Sequence, residues 1–194
     1  MNRSFWLVVW TFLLLPFLVA TTYRVEMQPE SVVVYEASDQ RDTWRGRAPL
    51  QSLDLTFDSE ALATLTLQAV LDPGAFSSGN AIRDANARRG VFETGEYPTI
   101  VFRADGVAAD TETDALSAGD ILAVTLGGTL EMHGVTREVS VPAQVTLGND
   151  TLRAEGTLSV LLSDYNMDRP GFLGNRVNDE VTVRFDVVGT LVQP

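Results

Sequence analysis

The feature that most constrains this chain is an alternation of apolar and polar residues that recurs, segment after segment, between short clusters of turn-forming residues. Successive side chains of a strand point to opposite faces, whereas the apolar stripe of a helix returns every three to four residues. Period two therefore marks half-buried strands. In "SLDLTFD", Leu53, Leu55 and Phe57 alternate with Asp54, Thr56 and Asp58. "LATLTLQAVLD" continues with Ala63, Leu65, Leu67, Ala69 and Leu71 on one side until Pro73-Gly74 stops it. "TIVFRADGVA", "ILAVTLGGTLEM" and "TLRAEGTLSVLLSD" repeat the pattern. "EVSVPAQVTL" aligns Val139, Val141, Ala143, Val145 and Leu147, and "EVTVRFDVVGTL" aligns Val181, Val183, Phe185 and Val187. With "VEMQPESVVVYEAS" near the start, this makes about eight strands joined by hairpin-length turns, an all-β chain suited to an antiparallel barrel or sandwich. A parallel α/β fold would need long crossovers, and only one helical candidate is present.

That candidate runs from Gly79 to about Arg89 in "SGNAIRDANARRG". Ala81, Ile82, Ala85 and Arg88 fall at helical spacing, Asn80 and Asp84 can serve the first turn, and Gly90 is placed to end it. A short helix between two long strands can cover one end of a barrel. The acidic "AADTETDALSAGD", Ala108 to Asp120, reads as an exposed loop.

The start of the chain is of another kind. Arg3 precedes an uncharged apolar run of 16 residues, Phe5 to Ala20, which ends in small residues and reads as an export signal. Cleavage after Thr21 or Thr22 and retention as an N-terminal anchor are both open, because the run is short against the roughly 20 residues of a bilayer span. We therefore take residues 1–22 as signal or anchor and residues 23–194 as one domain, periplasmic or extracellular, and membrane-tethered if the anchor is kept. Without Cys, neither disulfides nor a thiol nucleophile nor a Cys-based metal site can form. The 14 basic residues, all Arg, face 26 acidic ones, for a net charge of −12; nucleic acid is excluded as a partner on that sign.

Catalytic motifs are lacking. The single His, His133, stands before Gly134 in a hairpin turn, with no nucleophile elbow or other triad signature to support it. No EF-hand loop or phosphate-cradling glycine pattern occurs, and we expect no metal, no cofactor and no enzyme activity. The inward faces mix large residues (Leu67, Phe102, Leu126, Leu130, Phe185) with small ones (Ala69, Ala104, Ala143, Ala154). A barrel of about eight strands can fill with such side chains or hold one slim ligand, and periodicity alone leaves both open.

Three stretches add a resemblance. "SGNAIRDANARRGVFETGEYPTIVFRADGV", "LGGTLEMHGVTREVSVPAQVTL" and "GTLSVLLSDYNMDRPGFLGNRVNDEVTVRFDVVGTL" resemble the YceI-like family of bacterial polyisoprenoid-binding proteins. The family's first motif corresponds to Gly79, Asn80, Arg83 and Asp84, followed by Phe92, Glu93, Tyr97, Pro98 and Phe102. Its hairpin corresponds to Gly128, Leu130, Gly134, Thr136 and Arg137, and its closing strand to Val177, Asp179 and Val181. The first hairpin departs from the family by lacking His. The resemblance implies a lipocalin-like antiparallel eight-stranded β-barrel with a short helix near one end. It also implies a long-chain amphiphilic ligand on the barrel axis, such as an isoprenoid quinone or a polyprenyl phosphate.

On this reading the apolar tunnel is lined by Leu67, Ile82, Phe92, Tyr97, Phe102, Leu126, Leu130, Val160, Phe172 and Phe185. Arg83, Arg88 and Arg89 are candidates for the head group; alternatively Arg83 braces the helical turn by pairing with a carboxylate such as Asp84. The rival readings are an all-β structural or adhesion domain with a filled core, and a lipid- or glycan-acting hydrolase. A dimer is kept open as the oligomeric state. N-terminal sequencing of the native protein is expected to begin at Thr22, Tyr23 or a close neighbour; an intact Met1 in the membrane fraction would show that the apolar run is an anchor.

Overall fold

The computed structural model describes residues 22–109, 116–172 and 175–193, so the expected signal or anchor lies outside the described residues. The first five strands are β1 (Thr22–Met27), β2 (Val32–Ser38), β3 (Thr43–Arg47), β4 (Leu50–Asp58) and β5 (Ala61–Leu71). The helix α1 (Ala81–Gly90) comes next, then β6 (Ile100–Asp105), β7 (Ala108–Ala109), β8 (Ile121–Met132), β9 (Val135–Leu147) and β10 (Thr151–Leu161). A two-residue pair, β11 (Gly171–Phe172) and β12 (Asn175–Arg176), precedes the last strand, β13 (Glu180–Val192).

These strands build eight barrel walls because β1 with β2, and β3 with β4, each make one broken wall. Both β1 and β2 run antiparallel to β13, through Met27↔Gly189 on one side of the break and Val32↔Asp186 on the other. At the break the Ser31 hydroxyl donates to the Val188 carbonyl (3.0 Å) and accepts from the Val188 N–H (3.1 Å), replacing a missing ladder partner. β3 pairs with β2, whereas β4 pairs with β1, and the bend between them falls at Ala48-Pro49, where proline has no N–H to give to a ladder. The order β1/β2, β3/β4, β5, β6, β8, β9, β10, β13 closes on itself through β13. Every neighbouring pair is antiparallel, as the alternation predicts.

Three expectations are corrected in detail. The alternation slips once in β5: Leu62 is buried and turned inward, and Ala63 is exposed. The pairing with β4 jumps there from Thr56↔Thr66 to Asp58↔Ala61, and the Thr64 hydroxyl closes the bulge by donating to the Ala61 carbonyl (2.8 Å). Ala108–Asp120 is not all exposed loop. Ala108 and Ala109 pair with Thr125 and Val124, and Leu116 is buried in the interior, its N–H donating to the Ser59 carbonyl (2.8 Å). Finally, α1 is capped by Asn80 alone, whose Oδ1 accepts from the N–H groups of Ile82 and Arg83 (3.1 Å each). Gly90 is the last helical residue, and the chain leaves the helix at Val91.

The buried side chains form two clusters along the barrel axis. One, at the end that carries α1, includes Phe76, Val91, Ile100, Met132, Tyr165 and Met167. The other, at the opposite end, includes Val25, Phe57, Leu62, Leu116 and Leu122. Phe185 touches both. Neither cluster fills the middle of the barrel. On the wall itself, Gly128 of β8 lies against the Arg103 carbonyl and the Cα of Ala104, where a Cβ would meet backbone that cannot swing aside. Gly128→Ala is expected to destabilise the barrel by about 1–3 kcal/mol in urea unfolding.

Candidate functional site

Between the two clusters lies a cavity of about 760 Å³, in the upper part of the roughly 300–1,000 Å³ range of ligand sites. Alternate residues of each wall reach it, because a barrel turns every second side chain inward. Its middle is lined by Leu67 and Ala69 of β5, Phe102 of β6, Leu126 of β8, Ala154 of β10 and Val187 of β13. Its far end is closed by Leu55, Phe57, Leu62, Leu116 and Leu122, all buried. The small residues are what keep it open. Ala69, Ala143 and Ala154 stand where larger side chains would meet across the axis.

Among the described residues, the charged and amide groups of the lining lie at the other end. The charged residues that reach the cavity are Asp39, Arg41, Asp42 and Arg83, and the amides are Asn80, Asn86 and Asn175. They belong to the β2–β3 turn, to α1 and its cap, and to the β11–β12 pair, which together form the rim of a mouth. Trp44 and Tyr35 stand just inside it. Burial, and after it the Asp84 charge, push the Tyr35 phenol up from its ordinary range, against the opposing charge of Arg83, so it stays a neutral hydroxyl.

The rim is held by side chains that point at backbone. Asp84, buried in α1, accepts from the Ser78 N–H (2.8 Å), the Ser78 hydroxyl and the Ser77 hydroxyl (3.1 Å), tying the helix to the segment before it. Burial alone would raise its carboxyl; the Ser78 and Ser77 hydrogen bonds, with the Arg88 charge, outweigh it and hold the group below the ordinary aspartate range. Among the described residues Arg83 makes no pair with a carboxylate. Its Nε donates to the Ser78 hydroxyl (2.8 Å) and its guanidinium lies over the Trp44 ring, 4.7 Å from the centroid. Asp179 accepts from the N–H and hydroxyl of Ser163 (2.9 and 2.6 Å), which pins the turn after β10.

His133 occupies the β8–β9 turn with left-handed backbone, φ 52°, followed by Gly134 at φ 72°, as a tight hairpin requires. Its ring is not idle. Nε2 lies 2.8 Å from a Glu93 carboxylate oxygen and Nδ1 lies 3.2 Å from the Tyr165 carbonyl, so it joins the helix exit, the hairpin and the turn after β10. Among the described residues no group of three or more His, Asp and Glu is placed to hold a metal.

The fold and this site can now be set beside known proteins. The sequence pattern of the YceI-like domain matches residues 23–189. The chain belongs to the YceI-like family. It is 28% identical over 130 residues to UPF0312 proteins of two Vibrio vulnificus strains, a match that covers 63% of this chain and 64% of theirs. The chain thus spans less than two thirds of the length of these curated relatives. Among solved structures it is similar to BcnA of Burkholderia cenocepacia (TM-score 0.68, 22% identity, 82% of this chain and 96% of that one). It is also similar to a polyisoprenoid-binding domain from Saccharophagus degradans (TM-score 0.66, 17% identity, 90% and 99%). At these identities the structural likeness shows the shared fold.

Of the residues expected to line the tunnel of this YceI-like barrel, Leu67, Phe92, Phe102, Leu126, Leu130, Val160 and Phe185 all reach the cavity. Ile82 reaches it only at the rim, 76% exposed. Tyr97 lies outside, packed against His133 with ring centroids 4.4 Å apart and planes tilted by 50°, because the Tyr-Pro step packs against the β8–β9 turn. Phe172 pairs with Asn175, and its side chain is not among those described. Of the head-group candidates Arg83 is at the rim, while Arg88 and Arg89 are absent from the lining, Arg89 donating to the Ala85 carbonyl of its own helix (3.3 Å). Sequence reasoning missed Trp44, Tyr35, Leu116 and the amides of Asn86 and Asn175, which no periodicity or motif marks.

Asp84→Asn is expected to destabilise the protein by roughly 1–3 kcal/mol near neutral pH, since it weakens three hydrogen bonds at a buried carboxylate. Because the folded carboxyl sits below its unfolded value of about 3.9, this contribution is complete above that pH and is lost as pH falls through the lowered folded value. Urea unfolding of both proteins should show a constant gap from pH 5 to 8 that narrows below about pH 4.

Proposed function

We propose that this protein is a non-enzymatic binding protein for a long-chain amphiphilic lipid, exported to the periplasm or beyond, where it carries, stores or sequesters its ligand. The observation that carries this reading is the distribution of polarity in the cavity: an apolar bore closed at one end by Phe57, Leu62, Leu116 and Leu122, with charged and amide groups, among the described residues, at the open rim. That is the complement of a molecule with an apolar tail and a single polar head. Each CH₂-sized piece of tail contributes roughly 0.8 kcal/mol on burial, so a dozen contribute about 10 kcal/mol before association and ordering costs reduce it. The acidic exterior keeps the carrier dissolved while the interior takes the tail. The Saccharophagus degradans neighbour is a polyisoprenoid-binding domain, and the same ligand class suits this bore.

A filled structural domain is disfavoured by the cavity itself. A hydrolase is disfavoured because, among the described residues, the bore brings no carboxylates or hydroxyl nucleophile together beyond the rim. Native mass spectrometry of the gently purified protein is expected to show an added lipid mass that organic extraction removes. Ala154→Phe, which places a ring in the middle of the bore, is expected to strip that mass while circular dichroism still reports a folded barrel. A wild-type protein that carries and takes up no lipid would overturn the proposal.

A further inference from the structure

One junction of the barrel wall is only half made. β9 pairs with β8 from Ile121↔Thr146 to Met132↔Val135, and β10 pairs with β13 from Thr151↔Thr190 to Leu161↔Glu180. Between β9 and β10, however, the ladder runs only from Leu152↔Leu147 to Gly156↔Ala143. Beyond it, residues 138–142 of β9 and 157–161 of β10 continue as strands without pairing to each other. The cause stands in the sequence. Pro142 is the next residue of β9, and its carbonyl lies against Gly156, so it turns toward β10 the position from which the next ladder N–H would have to come. Proline has none to give, and within sheets it is confined to edges and bulges.

The unzipped length has defined limits. At its lower end the Phe185 ring lies over Gly156, where a Cβ would meet it. At its upper end the 3₁₀ turn Leu162–Tyr165 is tied to the β8–β9 hairpin: Arg137 Nε donates to the Asp164 carbonyl (3.0 Å), and His133 Nδ1 lies 3.2 Å from the Tyr165 carbonyl. Between these limits Val141, Leu158 and Val160 reach the cavity from the two sides, and Val139 packs against the cluster at that end. Ser140, Thr157 and Ser159 are exposed on the outside. N–H groups alternate in direction along a strand, and that of Leu162 donates away from the seam, to the Asp179 carbonyl on the β13 side (2.9 Å). Those of Ser159 and Leu161 therefore point into the seam, as does that of Ser140, two residues from Pro142. Over this length the bore is parted from water by side chains, without a hydrogen-bonded wall.

We propose that this seam is a lateral portal through which an apolar tail passes between the bore and the outside, with the Arg137–Asp164 hydrogen bond as its latch. This rests on the lipid-binding reading above and adds the route. The far end of the bore is closed by buried side chains, so a tail that used the mouth alone would have to be threaded end-on past the rim. Parting β9 from β10 below the latch breaks no ladder pair, and the contacts it opens are apolar ones that the tail itself replaces. Parting two paired walls would break several backbone hydrogen bonds at once. The seam is thus the part of the wall that opens at least cost.

The chain has no Cys, so thiols introduced in pairs can be bridged selectively. Ser140→Cys with Ser159→Cys, positions that the β9–β10 register would bring opposite each other if it continued, is bridged with a short bismaleimide. Thr56→Cys with Thr66→Cys, a facing pair of the β4–β5 ladder, is the control. Uptake and release of the fluorescent hydrocarbon diphenylhexatriene by the delipidated full-length protein are followed by stopped flow. Bridging the seam is expected to slow both by about tenfold with the final amount bound unchanged, bridging the control pair to alter neither, and Arg137→Gln to speed both by about threefold. In the unaltered protein, amide hydrogen exchange is expected to be faster at Ser140, Ser159 and Leu161 than at Leu158 and Val160, whose N–H groups face β13. A bridged seam that exchanges the probe as fast as the unbridged one, or seam amides as protected as those of Leu158 and Val160, overturns the portal and leaves lipid binding standing. If no form of the protein takes up the probe, the lipid-binding reading itself fails.

Discussion

The structure depends on closure of the sheet along β13. This strand is hydrogen-bonded on one side to β10, from Thr151↔Thr190 to Leu161↔Glu180, and on the other to β2 and then β1. An open sheet with these inward faces would expose one apolar surface and two unpaired edges to water. Joining the last strand to the first removes both edges and turns that surface inside. With eight walls the enclosed space has the width at which large side chains fill it and small ones leave room. The break at Gln28–Ser31 and the bend at Ala48-Pro49 let two walls change partners at mid-height without losing backbone hydrogen bonds.

A barrel has two ends, and this chain treats them oppositely. The end bearing the β4–β5, β6–β8 and β9–β10 connections is sealed by its own apolar side chains, among them Leu116, which comes in from a connection that carries four acidic residues and no basic one. The other end carries the long excursions: the stretch with α1 between β5 and β6, and the stretch from Leu162 to Asp179 between β10 and β13. These connections set Phe76, Val91, Tyr165 and Met167 into the buried cluster at that end. They are held further by Asp84 on Ser77 and Ser78, Asp179 on Ser163, Arg137 on the Asp164 carbonyl and His133 between Glu93 and Tyr165. A rim held this way sets its polar groups at defined places around the mouth.

This explains why the residues of the family resemblance are mostly not those that face the bore. Asn80, Asp84, Arg137 and Asp179 act on backbone or on serine hydroxyls at this end, and Glu93 meets the His133 ring. Gly128 and Gly134 are required by close approach and by backbone conformation. The bore is lined by Leu, Val, Phe and Ala at inward positions, where many apolar residues serve equally well. A motif of this kind describes how the mouth is built. The bore needs only the right volume, which a motif cannot state.

Strand number, antiparallel order and the inward set from Val181 to Val187 were legible in the sequence, because period-two alternation is a local property that the finished sheet only has to respect. The short helix and its Asn80 cap were legible for the same reason, as side chain and backbone lie within three residues of each other. What needed the tertiary structure was everything set by distant partners. Leu62 displaced Ala63 because the β4–β5 register slips, Tyr97 left the bore because it packs against His133, and Arg83 turned from carboxylates to Ser78 and Trp44. Whether the barrel would fill or stay hollow was likewise undecided, since Ala69, Ala143 and Ala154 read the same in either case until they meet across one axis. Alternation fixes which face a residue takes; only closure of the sheet decides what that face meets.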